Sequence, residues 1–78
     1  MIVYPNPSTN GQVTVVFDNT KGTRDATLVD MNGRTIRQWK SLTGNTLHIE
    51  PLNAGIYTLR VVNRETGFQS VEKISISR

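Results

Sequence analysis

Apolar residues in this chain recur at every second position, and no stretch carries a helical stripe. Val13, Val15 and Phe17 alternate with Gln12, Thr14 and Val16. Ala26 and Leu28 alternate with Thr27 and Val29, and Leu47 and Ile49 flank His48. Tyr57, Leu59 and Val61 alternate with Thr58 and Arg60, and Ile74 and Ile76 with Lys73, Ser75 and Ser77. Successive side chains of an extended chain point to opposite faces, so each run reads as a half-buried strand. Turn formers separate the runs: Pro5-Asn6-Pro7, Asn10-Gly11, Asn19 to Gly22, Asn32-Gly33, Gly44-Asn45, Asn53 to Gly55 and Asn63 to Gly67. The pattern predicts strands at about residues 2–4, 12–18, 25–30, 34–39, 46–50, 56–62 and 69–77. Many short strands with turns at this rhythm predict an all-β fold, a small antiparallel β-sandwich of about seven strands.

At 78 residues the chain is read as one domain, 1–78, without an internal boundary or repeat. It has no cysteine and one histidine, which excludes a disulfide staple, a thiolate site and a two-histidine metal site. Its apolar runs are too short for a transmembrane helix, and no positively charged, apolar secretory leader precedes the strands. The net charge of +3 hints at an anionic partner. The cations are scattered one or two per segment with few aromatics between them, so no nucleic-acid surface is expected. No cofactor is implied.

No residue constellation suggests catalysis. His48 lies between two core positions on the opposite strand face and reads as an exposed strand histidine. The carboxylates Asp18, Asp25, Asp30, Glu50, Glu65 and Glu72 are spread over turns and outward positions, without the dense oxygen cluster that calcium needs. The serines lack a nucleophile-elbow context. The chain reads as a non-enzymatic module for binding, support or addressing. Trp39, near Arg37 and Lys40, suits either a surface contact or a cap on the open end of the sandwich.

Two turns carry more detail. The segment Asp30 to Arg34 allows a two-residue Asn32-Gly33 loop or a three-residue loop, with Asp30 opening a type I turn and Gly33 left-handed in a bulge. The three-residue loop is preferred. It sets Leu28 opposite Ile36, with Ala26, Leu28 and Ile36 on one face and Arg37 and Trp39 on the other. Leu52, Gly55 and Tyr57 resemble the tyrosine corner of immunoglobulin-like sandwiches, with the Tyr57 hydroxyl bonded near Leu52 or Asn53.

Several blocks, in order, resemble the C-terminal sorting domain of the type IX secretion system of the Bacteroidetes, the Por secretion system. They are Tyr4-Pro5-Asn6-Pro7, Val13-Thr14-Val15, the hairpin Leu28 to Ile36 with Asp30 and Gly33, the segment Leu52 to Val61 with Gly55 and Tyr57, and Lys73 to Arg78. The last block has serines at 75 and 77 and Glu72 before it, so it is less basic and less aliphatic than the family's usual ending.

The resemblance implies an immunoglobulin-like sandwich and an address function for an upstream cargo domain of the same chain. It implies transit through the periplasm to the cell surface or exterior. The implied partners are the type IX machinery, with an outer-membrane shuttle and a sortase-like peptidase that cuts near Met1 to Tyr4. No direct membrane insertion is expected, and the domain is expected to be a monomer. Lys73, Ile74, Ile76 and Arg78 would form the signal strand, read by strand addition at its edge. Tyr4, Pro5, Asn6, Pro7, Asp30, Gly33, Leu52, Gly55 and Tyr57 would maintain the fold. A fibronectin-like or carbohydrate-accessory module, or a stalk domain, is the alternative; a sugar platform would have to use Trp39 and Phe68.

Overall fold

The computed structural model describes residues 1–17 and 22–77. Most of the turn expected at Asn19 to Gly22, one end of the strand expected over 12–18, the Asp18 carboxylate and the candidate signal residue Arg78 lie outside the described residues. The described residues form seven strands: β1 (Ile2–Tyr4), β2 (Val13–Val16), β3 (Arg24–Asp30), β4 (Thr35–Leu42), β5 (Thr46–Ile49), β6 (Gly55–Asn63) and β7 (Gln69–Ile76). They make two antiparallel sheets, one in the order β1-β2-β5 and one in the order β4-β3-β6-β7.

The period-two alternation becomes the two inner faces of a sandwich. Val13, Val15, Leu47 and Ile49 come from the smaller sheet, and Ala26, Leu28, Tyr57, Leu59, Val61, Ile74 and Ile76 from the larger; Phe17 and Leu52 complete the core. Burying an aliphatic side chain of this size stabilises the fold by roughly 1.5–3 kcal/mol, and this term fixes which face of each strand turns inward. The β6–β7 pair runs without a break in register from Gly55↔Ile76 to Val62↔Gln69.

The three-residue loop forms as expected. The Gly33 amide donates to the Asp30 carbonyl at 3.1 Å, the Asp30 amide donates to the Arg34 carbonyl at 2.9 Å, and Gly33 is left-handed at φ +81°. The pairing beyond it differs from expectation. Val29 faces Thr35, but Leu28 faces Arg37 and Ala26 faces Trp39, so Ile36 is an extra residue in a bulge. The bulge reverses the faces that the loop alone would set. Ile36 is therefore exposed, while Arg37 and Trp39 turn to the core side, where Trp39 packs half-buried against the cluster.

A second shift follows, with Arg24 facing Leu42, and carries β4 three residues past its expected end. At that shift Ser41 adopts φ +57°, its amide held by the Asp25 carboxylate at 3.0 Å. Arg64 Nε donates to the same carboxylate at 2.8 Å.

Candidate functional site

The two ends of the described chain meet at the edge of β7. After β1, the Pro5-Asn6-Pro7 turn carries the backbone across from the smaller sheet to the larger one. Asn6 Nδ2 donates to the Lys73 carbonyl at 2.9 Å, and Asn6 Oδ1 accepts from the Ser75 amide at 3.1 Å. The side chain thus satisfies one acceptor and one donor of β7, as a neighbouring strand would.

Ser8 continues the arrangement as a parallel bridge to Ile76. Its amide donates to the Ser75 carbonyl at 2.9 Å, and its carbonyl accepts from the Ser77 amide at 2.7 Å. The Ser8 side chain is fully buried, accepting from the Gly11 amide and donating to the Gln12 carbonyl. Asn6, a short polar residue between two prolines, can leave the strand geometry and present its side-chain amide to the β7 edge. The turn formers were legible in the sequence; the partner, 67 residues away, was not.

The expected signal residues divide between two environments. Ile74 and Ile76 point into the core, 0% and 4% exposed, so in the folded domain they are packing residues. Lys73 is exposed on the outer face of the larger sheet, in register with Thr58, and Val71 stands beside it, in register with Arg60. On the edge where strand addition is expected, the Ser75 amide is already engaged by Asn6.

Several of the residues expected to maintain the fold make identifiable contacts. The Tyr57 hydroxyl donates to the Asn53 carbonyl at 2.7 Å with its ring buried, the expected corner. Gly55 opens β6 at φ +154° beside the Tyr57 ring. Leu52 is buried, and its amide donates to the Gly11 carbonyl. Asp30 Oδ1 accepts from the amides of Asn32 and Arg34. These backbone donors, the Arg34 amide first, hold the Asp30 carboxyl below the ordinary aspartate range. The Ser41 amide and the Arg64 guanidinium do the same for Asp25. Tyr4, Pro5 and Pro7 are exposed.

Other candidates carry little chemistry. His48 is exposed and shares a hydrogen bond with Thr14 at 3.2 Å. Among the described residues no cluster of His, Cys, Asp or Glu has metal-site geometry, and no helix is long and apolar enough to cross a membrane. A cleft of about 300 Å³ opens at one end of the sandwich between Met1, Phe17, Arg24 and Phe68. Arg24, which composition places among the solvated cations, is 5% exposed there with its guanidinium 5.0 Å from the centre of the Phe17 ring. Trp39 and Phe68 do not form a sugar platform, because they flank opposite edges of the larger sheet.

Comparisons with known proteins agree with this layout. The model of the "Secretion system C-terminal sorting domain" family matches residues 2–77. No curated protein matches the chain. A solved structure with a similar fold is that of PorZ, described as an essential bacterial surface component of the type-IX secretion system of Porphyromonas gingivalis. The similarity has a TM-score of 0.79 at 20% identity, over 99% of this chain and 11% of the PorZ chain. The chain thus spans about a tenth of the length of the protein it matches.

Proposed function

The chain belongs to the secretion system C-terminal sorting domain family, and from that premise we propose that it addresses a cargo protein to the type IX machinery. The observation that carries the reading is the continuous family match from residue 2 to residue 77. The fold shared with part of PorZ supports the type IX assignment. In this reading the domain is a ligand and not a catalyst. The cargo precedes it in the same chain, reaches the periplasm by its own leader, and crosses the outer membrane to the cell surface or exterior. An outer-membrane shuttle receives the domain. A sortase-like peptidase then cuts near Met1 to Tyr4 and attaches the cargo to anionic lipopolysaccharide.

The geometry supports a division of labour among the motif residues. Asn6, Ser8, Asp30, Gly33, Gly55 and Tyr57 preserve a sandwich whose last strand is held at a defined edge. The exposure of Lys73, a signal-strand cation among the described residues, supports a role for it in recognition.

The test is a fluorescent reporter placed behind a signal peptide and ahead of residues 1–78 in a Bacteroidetes host. Reporter at the surface or in the medium, lost on deletion of the type IX pore, is the expected result. Reporter retained in the periplasm with the domain folded would refute the address. A released reporter whose mass excludes residues 5–78 is the expected sign of the cut.

A further inference from the structure

We infer that the free half of the β7 edge, Gln69 to Lys73, is the docking site for an extended acidic strand of a partner protein. The inference deepens the sorting reading and rests on it. In the β6–β7 pair, Ser75 directs its backbone groups away from β6 to Asn6 and Ser8. Residues at the same parity, Gln69, Val71 and Lys73, direct theirs to the same outer side. Asn6 and Ser8 cover that side from the Lys73 carbonyl to the Ser77 amide. Among the described residues nothing pairs with it from Gln69 to the Lys73 amide, because β7 ends its sheet.

The other edges are poor templates. β1 has three residues and β5 has four, and β4 is interrupted by two register shifts. Bulged and short edges resist strand addition. β7 has eight residues in unbroken register, so its uncapped half is the best available edge.

Charge selects the occupant. Lys73 and Arg60 lie on the outer face around Val71, and neither has an ion-pair partner among the described residues. Asp25, the acidic side chain of β3 on that face, is already paired with Arg64. A strand laid along Gln69 to Lys73 therefore gains from acidic side chains on its outer face. Its inner face meets Ser70, the Glu72 carboxylate and, beside the strand's start, exposed Phe68, so acidic residues are disfavoured there and apolar ones fit. Alternating acidic and apolar residues satisfy both requirements.

The probe is an acetylated, amidated Glu-Val-Glu-Val-Glu-Val peptide, titrated into the 78-residue protein and followed by amide NMR shifts, with the Lys-for-Glu peptide as control. Shifts should concentrate at Val71 and Lys73 and spare Ser75 and Ser77. The control should bind about tenfold more weakly, and Lys73→Glu with Arg60→Glu should reverse the preference, since cross-strand charge pairs change sign. Val71→Pro, which removes the central donor, should abolish the shifts; the two charge reversals, both at exposed positions, give an independent reading. No shift at Val71 and Lys73, or equal binding of both peptides, overturns the inference. Concentration-dependent dimerisation abolished by Val71→Pro also overturns it, assigning the edge to a second copy. Reporter export separates the two readings. Export by the wild-type domain with no peptide binding leaves the address standing and removes the docking edge. Peptide binding without export does the reverse.

Discussion

Replacing Asn6 by Ala is the most direct perturbation of the contact between the chain's first turn and its last strand. The side chain makes two hydrogen bonds to β7, at 2.9 and 3.1 Å, and both are exposed to solvent. Water can therefore replace it at the Lys73 carbonyl and the Ser75 amide, and no desolvation penalty is left behind. Each bond then contributes near the low end of the usual net range, and the pair about 1 kcal/mol. If the segment opens locally, that change multiplies the opening equilibrium about fivefold. The assay is native-state hydrogen exchange. The Ser75 amide should lose about fivefold in protection, while the Val15 and Leu59 amides, in buried central strands, change only by the global loss of stability. The Ser77 amide, held by the Ser8 backbone, should change less than Ser75. Unchanged Ser75 exchange would refute the reasoning, because the amide would then be protected by something other than Asn6. Asn6→Asp retains an acceptor for Ser75 but loses the donor to Lys73, and should fall between the two.

Tyr57→Phe keeps the buried ring and removes one hydrogen bond to an exposed residue, Asn53. The expected cost is about 1 kcal/mol, a melting temperature roughly 4–8 °C lower for a domain of this size, read by calorimetry. Acid stability follows from Asp25 and Asp30, whose carboxyls lie below the ordinary aspartate range through the Ser41 and Arg34 amides and the guanidiniums of Arg64 and Arg34. A depressed folded-state value means that folding favours the ionised form. That contribution is complete above about pH 5 and disappears as pH falls through the folded-state values. Urea denaturation across the acid range should show a shallower decline for Asp25→Asn with Asp30→Asn than for the unaltered protein. An identical acid limb would contradict the roles assigned to these carboxylates.

Strand number and, outside β4, the inward faces were legible because they depend on local alternation. Val13, Leu28, Leu59 and Ile74 have no polar atom to satisfy and bury wherever the pleat allows. The Asp30–Gly33 loop and the Tyr57 corner were legible for a related reason. Each closes over a few residues, so the residue types needed stand close together in the chain. The β4 register was not legible, because a single bulged residue, Ile36, exchanges the faces of everything after it. Trp39 consequently sits on the core side. Arg24 looked like one more solvated cation until folding brought the Phe17 ring beneath it.

The same distinction governs the functional edge. By itself the sequence determined a terminal strand with inward isoleucines and an outward lysine, and an opening turn built from two prolines and an asparagine. Only the tertiary structure decided that this turn closes half of that strand's edge and leaves the other half open. The physical reason is the separation in sequence. Alternation and turn chemistry act between neighbours, whereas the bonds from Asn6 and Ser8 to Lys73, Ser75 and Ser77 exist only once two sheets have packed and brought the first turn beside the last strand.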